Sequence, residues 1–378
     1  MKDLESATAN PAFPFSDDLG PYKVIHIYEP RIGLRAALVV DNVAAGPAIG
    51  GLRMAPDVST AECFRLARAM TLKNAAAGLP HGGGKSVLWG DPGMPPDRKE
   101  TLIRAFASAI GSEETYIPGP DMGTNEQSMA WVRDEIGRAV GLPREIGGIP
   151  LDEIGATALG LRAAARVACD FTGLRLDGAR VAVQGFGAVG IHAARFLEEE
   201  GARTVGVADS GGTIEDPRGL NLDALIDLKK SGRSVREYGG GTSGAPEAIV
   251  GVACDIWIPA ARPDVVTEAN VDSLSTKLIL QGANIPIAPG AEKMLHERGV
   301  LSIPDVIANA GGVICAAVEY RGATERVARE TIEEKVTRTT RELLESMKSA
   351  GVSPREAAVR IASERVHRAM ATRRWSVF

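Results

Sequence analysis

Two hydrophobic periods alternate along this chain, and the points where one gives way to the other mark its elements. Tyr22 to Tyr28 and Leu34 to Val40 are strand-like, and Pro30 and Gly33 between them predict a hairpin. Ser59 and Glu62 have capping-box spacing and open a helix through Leu66, Met70, Lys73 and Ala77, spaced i, i+4, i+7 and i+11. That stripe is expected to be buried, with Lys73 lying along it. Pro80 and the glycines Gly82, Gly83 and Gly84 are expected to end the helix in a glycine-rich turn, ahead of the strand-like run Ser86 to Trp89. Lys99 to Gly111 has helical period, Thr115 to Ile117 reads as a short strand, and Pro118 to Gly123 reads as turns. Composition shifts near Gly147 to Pro150, a candidate domain boundary.

Beyond that boundary the pattern changes character. An alanine-rich helix from Thr157 to Cys169 precedes a strand (Arg180 to Gln184), a glycine-rich turn (Gly185, Phe186, Gly187, Ala188, Val189, Gly190), a helix (Ile191 to Glu200) and a second strand (Thr204 to Ala208). Asp209 follows, 24 positions after Gly185 (209 − 185). This is the G-x-G-x-x-G fingerprint between a strand and a helix, the context in which glycines admit a pyrophosphate to a helix N-terminus. Asp209 can accept hydrogen bonds from an adenosine ribose and would repel a 2′-phosphate, so NAD is favoured over NADP. Further strands are expected at Ile256 to Pro259, Leu278 to Gln281 and Val300 to Ile303. They end in small or amide residues, among them Ala260, Asn284 and Asn309, which become candidates to line a crevice at the carboxyl ends of a doubly wound sheet. Glu325 to Arg373 is charged and helical in period, divided at Gly351 to Pro354.

Length and composition narrow the picture. A chain of 378 residues exceeds what one core usually holds, and 44% hydrophobic content supplies two. Net charge is −5 with no basic block, so nucleic acid and anionic membranes are not expected partners and a small molecule is. Met1 to Ser6 is polar and no apolar run reaches membrane-spanning length, which predicts a cytoplasmic protein. Cys63, Cys169, Cys254 and Cys315 lack CxxC spacing and form no ligand pattern with the five histidines, so reduced core thiols and no metal are expected.

The candidate chemistry centres on two lysines. Lys73 lies on an apolar helical stripe, and Lys85, twelve positions on (85 − 73), follows three glycines where backbone can approach a ligand closely. A desolvated lysine beside a second cation becomes usable as an acid or base near neutral pH. Either alone would be an ordinary snorkelling or loop charge. Gly84-Lys85-Ser86 also has the end of a nucleotide triphosphate P-loop, but that motif needs glycine at position 79, which is leucine, and a helix after the lysine.

These segments together resemble the glutamate, leucine, phenylalanine and valine dehydrogenase family from about Tyr22 to Arg373. The resemblance rests on Gly46 to Met54, Met70 to Ser86, Gly119 to Thr124, Gln184 to Gly190 and Ile307 to Val313. It implies interconversion of an L-amino acid with a 2-oxo acid plus ammonia, and an α/β fold with a substrate and oligomerisation domain (1–150) first. A Rossmann-type dinucleotide domain (151–324) follows, then C-terminal helices (325–378) returning to the first domain, in a homo-oligomer. It makes Lys73 the cation for the substrate carboxylate, beside Gly50 and Gly51, Lys85 the lysine that activates water, and Asp121 the proton shuttle. Thr157 and Asn309 match positions at the nicotinamide amide, Asn284 one near cofactor ribose and substrate, and Ser210 follows Asp209 at the cofactor.

Two departures bear on the substrate. Glutamate-specific members carry a lysine where this chain has Ile49 and a serine where it has Ala316. An apolar amino acid of the leucine, valine or isoleucine type is therefore expected; the alternatives are glutamate and a catalytically silent relative that binds amino acid or NAD.

Overall fold

The computed structural model of the protein describes residues 14–372, so Met1 to Ser6 and Arg373 lie outside the described residues. These residues fold as two compact units: 14–149 with Glu319–Ala323 and 362–372, and Pro150–Val318 with Thr324–Ile361.

In the first unit the expected hairpin forms from β1 (Lys23–Glu29) and β2 (Leu34–Asn42). β3 (Ala48–Ala55), β4 (Gly82–Trp89) and β5 (Tyr116–Pro120) complete a five-stranded sheet of order β1-β2-β4-β3-β5. One face carries α1 (Thr60–Ala76) over Ala37, Val39, Ala55 and Val87. The other, with Leu38, Leu52, Met54, Leu88 and Tyr116, forms the larger core with residues of α2 (Pro96–Ala109) and α3 (Glu126–Ile136), such as Phe106 and Met129. Alternation along β3 places Ile49, Gly51, Arg53 and Ala55 on the α1 face. β4 likewise places Lys85 with Val87 there.

Three expectations change here. The glycine-rich segment is the first half of β4 rather than a turn; α1 already stops at Ala76, and Gly78 with φ 62° turns the chain. The glycines serve close packing instead: a Cβ on Gly82 would overlap the Asn42 carbonyl, one on Gly83 the Thr71 backbone, and one on Gly84 would lie 2.8 Å from the Tyr116 ring. Second, the buried stripe of α1 is Cys63, Ala67, Thr71 and Asn74, while Leu66, Met70 and Lys73 are only half-buried at its edge. A rim position keeps the Lys73 ammonium in reach of water. Third, Pro118 to Pro120 extend β5, since their backbone pairs with Gly50 to Leu52. The helix read from Lys99 starts earlier, with Pro96 in its first turn.

The second unit has a seven-stranded sheet of order β12-β11-β10-β6-β7-β8-β9. β6 (Arg180–Gln184), β7 (Arg203–Asp209), β10 (Ile256–Pro259), β11 (Leu278–Leu280) and β12 (Leu301–Ile303) are parallel, as their buried Val, Ile and Leu runs require. The short β8 (Gly212–Glu215) and β9 (Thr242–Gly244), unmarked by any hydrophobic run, add an antiparallel edge. α4 (Ala156–Thr172) precedes the sheet, α5 (Ala188–Glu198), α6 (Leu222–Lys230) and α7 (Pro289–Glu297) lie between its strands, and α8 (Asp305–Ala308) and α9 (Gly311–Tyr320) follow β12. α10 (Glu325–Ala350), expected with the first domain, belongs to the second unit, where it packs along α4 and buries Ala328, Ile332, Val336 and Leu343. α11 (Pro354–Thr372) joins the first unit only from Ala362 on, where Arg365 donates to the Ala75 and Ala76 carbonyls closing α1.

Candidate active site

The first unit brings charged side chains together on its α1 face, from within β3 and β4 and from the residue that follows β5. Lys85, 6% exposed on β4, reaches across β3 and forms an ion pair with Asp121, which follows β5. The crossing passes over Gly51: a Cβ there would lie 3.1 Å from the lysine Nζ, 2.7 Å from the Asp121 Cβ and 2.9 Å from the Pro120 carbonyl. Gly50 has no more room, since its Cβ would overlap the Gly84 carbonyl. Asp121 divides its oxygens between partners. Oδ2 faces Lys85, whereas Oδ1 accepts the Met122 N–H at 2.7 Å and lies 3.4 Å from an Arg53 Nη. Burial pushes the Asp121 carboxyl up, but the Lys85 charge and hydrogen bond, the Arg53 charge and the Met122 N–H outweigh it and hold its pKa below the ordinary value.

Sequence brought Lys85, Asp121, Gly50 and Gly51 forward, and the fold brings these together. It missed Arg53, whose other Nη pairs with Glu62 at 2.6 Å. The signal was available: two residues beyond Gly51 on a strand, a side chain points to the same face. Ile49, two residues before Gly51, is 3% exposed on that face. Lys73 ends the same helix that Glu62 begins, half-buried in the last turn of α1.

The second unit holds a cavity of about 780 Å³ at the carboxyl ends of β6, β7 and β10, where connections leave β6 in opposite directions. Its walls include Gly185, Gly187, Asp209, Ser210, Ala260 and Arg262. Gly185 has φ 96° and its Cβ would lie 2.6 Å from that of Ala261, so only glycine turns the chain here. Gly190 packs α5 on the Gly185 carbonyl, whereas a Cβ on Gly187 would meet nothing within 4 Å. Gly187 begins α5 without a side-chain cap, and Ala188, Val189 and Gly190 form its first turn, leaving N–H donors for an anion. Phe186 is 1% exposed, so its side chain is core and only its backbone serves the cavity.

Asp209, at the end of β7 in the cavity wall, is held by bonds within its own unit. Its Oδ1 accepts from Ser234 Oγ (2.7 Å) and Gly211 N–H (2.9 Å), and its Oδ2 from Lys229 Nζ (2.7 Å) and Val235 N–H (3.0 Å). Four donors occupy the carboxylate, which sequence offered to a ribose. Burial pushes its pKa up, but the Lys229 and Ser234 side chains and the two N–H groups bring it down to about 2. Asn309 is buried and donates to Asn284 Oδ1 (3.1 Å) and to the Gly282 and Ala283 carbonyls, while its own Oδ1 is buried without a partner. Thr157 in the first turn of α4 lies against Gly311 and Gly312, and Ala316 is buried one turn further along α9.

All four cysteines are buried and free, and no group of three or more metal-ligating side chains occurs among the described residues. No described helix is long and apolar enough to cross a membrane.

A largely parallel sheet with a glycine-rich turn into an uncapped helix, facing a cavity of about 780 Å³, defines a dinucleotide-binding protein of the dehydrogenase class. Its family is set by comparison with known proteins. Residues 147–374 match the model of Glutamate/Leucine/Phenylalanine/Valine dehydrogenase, and residues 21–138 that of the Glu/Leu/Phe/Val dehydrogenase dimerisation domain. The chain is 38% identical over 358 residues to a glutamate dehydrogenase of Aeropyrum pernix, covering 88% of this chain and 85% of that one. It is 36% identical over 392 residues to an NADP(+)-dependent glutamate dehydrogenase of Pyrobaculum calidifontis, covering 96% and 90%. Among solved structures it is similar to the hetero-hexameric glutamate dehydrogenase of Thermus thermophilus in its Leu-bound form, with TM-score 0.84, 29% identity and coverage of 94% and 91%. The L-tryptophan dehydrogenase of Nostoc punctiforme gives TM-score 0.73 at 26% identity, covering 93% and 97%. The chain belongs to the Glu/Leu/Phe/Val dehydrogenase family and is an amino acid dehydrogenase.

Proposed function

We propose that this enzyme oxidatively deaminates an apolar L-amino acid of the leucine, valine or isoleucine type, and runs the reverse amination of the 2-oxo acid. The observation that carries the substrate class is Ile49, buried on the sheet face that holds the Lys85–Asp121 pair. A substrate side-chain carboxylate beside it would lack a cation, at a penalty of roughly 2 to 5 kcal/mol, or about 30-fold to several thousand-fold in selectivity. Ala316 in place of a serine supports the same reading. Glutamate is the second reading, favoured by the names of the relatives at 36 to 38% identity.

Lys73 holds the substrate α-carboxylate. Asp121, kept ionised by its neighbours, takes a proton from the substrate amino nitrogen at Oδ2 and later returns it to the departing ammonia. Lys85 Nζ, acting as the neutral amine, takes a proton from the water that adds to the substrate's iminium carbon, and the ammonium so formed stabilises the oxygen there. The nicotinamide, when bound, accepts the hydride from the substrate Cα or returns it. The α5 N-terminus with Gly185, Gly187 and Gly190 holds the pyrophosphate, and the buried, unpartnered Oδ1 of Asn309 fits the nicotinamide amide. Because Lys229 offsets the charge of Asp209 and three neutral donors occupy its remaining acceptor positions, we infer that both NAD and NADP are taken, with a weaker preference for NAD than an unpaired carboxylate would impose. Homo-oligomerisation through the first unit is proposed from the match to the dimerisation model.

Lys85→Ala tests the reading. It is expected to abolish turnover while NADH binding, followed by fluorescence, stays intact; activity within tenfold of wild type would remove Lys85 from the chemistry.

A further inference from the structure

Asp121 has two charged neighbours, and the proposed chemistry uses only one. Lys85 faces Oδ2. The Arg53 guanidinium faces Oδ1 at 3.4 Å and is itself anchored by Glu62 at 2.6 Å, in the first turn of α1. Glu62 is fixed in turn, its N–H donating to the N-cap Ser59 at 3.1 Å. A chain of contacts therefore runs from the helix N-terminus through Glu62 and Arg53 to Asp121 and Lys85, all on one face of the sheet and inside one unit. The planar fork of Arg53 spans the two carboxylates, one at each Nη.

We propose that Arg53 is a positioning residue for the proton shuttle: it holds Asp121 ionised and turned so that one oxygen is left to Lys85 and the substrate nitrogen. This rests on the role proposed above for Asp121. Two consequences follow from the geometry. The guanidinium fixes the rotation of the carboxylate, which Lys85 alone, a point charge on a flexible stem, does not. Its charge also sets the pH at which Asp121 can accept a proton. The other groups facing this pair from the packed elements are Lys85 on β4 and Glu62 and the buried Cys63 on α1, while the buried Tyr116 on β5 lies on the opposite face of the sheet. Burial raises both the Cys63 thiol and the Tyr116 hydroxyl, so both stay neutral at working pH and leave Arg53, Lys85 and Glu62 as the charges that matter.

The test is the pH profile of kcat for oxidative deamination of leucine, measured on the full-length enzyme for Arg53→Gln, Arg53→Lys, Glu62→Gln and Asp121→Asn, with NADH binding and melting temperature alongside. Removing a cation from a carboxylate raises its pKa, so Arg53→Gln is expected to move the acid limb up by about one pH unit and lower kcat about tenfold at neutral pH. The drop in kcat at neutral pH comes from the lost fixing of the carboxylate's rotation, since Asp121 stays ionised there even with its pKa raised by about one unit. NADH affinity should stay within about twofold, since the second unit is untouched. Arg53→Lys keeps the charge and should return the limb to within about 0.3 units of wild type. Glu62→Gln removes a negative charge and should move the limb down, which keeps the inference testable if Arg53→Gln fails to fold. An acid limb that stays in place in both Arg53→Gln and Glu62→Gln, or moves the same way in both, overturns it. Asp121→Asn separates the two levels. If it loses turnover while the Arg53 and Glu62 variants leave the limb unmoved, only the role of Arg53 falls; if it keeps turnover, the role of Asp121 falls and takes that of Arg53 with it.

Discussion

Replacing Gly51 by alanine adds one methyl group at the point where Lys85 crosses β3, and the structure sets the size of the effect. The new Cβ would lie 2.7 Å from the Asp121 Cβ, 2.9 Å from the Pro120 carbonyl and 3.1 Å from the Lys85 Nζ. Ordinary contacts between such atoms fall near 3.5 to 4 Å, so each neighbour must give by roughly 0.5 to 1 Å. Pro120 cannot, because its strand is paired to β3 from Tyr116↔Ala48 to Pro120↔Leu52. Asp121, the nearest neighbour and one residue beyond the paired strand, is the part that must move, with the free end of Lys85 giving by a few tenths of an ångström, so the two are pushed out of register. Overpacking of this kind destabilises by about 1 to 3 kcal/mol, which a protein of this size survives. A displacement near 1 Å in a catalytic pair lowers kcat by about 100-fold. The assay is steady-state reductive amination with saturating NADH, with melting temperature and NADH affinity measured on the same preparation. A folded Gly51→Ala enzyme with kcat within about threefold of wild type would refute the claim that Lys85 works through this crossing.

Other predictions rest on different parts of the molecule. Gly187→Ala should leave folding intact, since nothing lies within 4 Å of its Cβ, but raise KM for coenzyme at least tenfold by filling the pyrophosphate path; an unchanged KM would place the pyrophosphate elsewhere. Asp209 has its pKa lowered from 3.8 to about 2, so the stability it confers is present above pH 3.8 and is lost as pH falls through about 2. The melting temperatures of wild type and Asp209→Asn should therefore differ near pH 7 and converge toward pH 2, and a constant gap would exclude this account. Ile285 is 51% exposed with φ 48°, a conformation a β-branched side chain adopts only under strain, while its N–H is held by Asp305. Ile285→Asn should stabilise by about 1 kcal/mol, or about 2 to 4 °C in melting temperature; a lower melting temperature would show that the side chain, not the backbone, matters there.

The sequence exposed those parts of the fold that repeat a period or a named geometry. The strand, glycine turn and helix at Arg180 to Glu198 were legible because Gly185 and Gly190 answer backbone requirements, Lys85 because it follows three glycines, and Asp121 through the resemblance carried by Gly119 to Thr124. The misread segments share a cause: a residue's neighbours in space outweighed its neighbours in sequence. Gly82 to Gly84 look like a helix stop until Thr71, Asn42 and Tyr116 are seen pressing on them from other elements. β8 and β9 are too short to show alternation. Asp209 sits at the expected strand end, yet Lys229, Ser234 and Val235, 20 to 26 positions further on, determine what its carboxylate can still accept. Arg53 was hidden for a simpler reason, since its significance depends on β3 being a strand and on Glu62 lying opposite.

The most direct test of the substrate assignment is a comparison of kcat/KM for 4-methyl-2-oxopentanoate, the oxo acid of leucine, with that for 2-oxoglutarate, each with ammonia and with NADH and NADPH in turn. With Ile49 in place of a cation, the aliphatic oxo acid should be preferred at least about 30-fold with either coenzyme. If 2-oxoglutarate is the equal or better substrate, a cation other than residue 49 serves its second carboxylate, and the enzyme is a glutamate dehydrogenase.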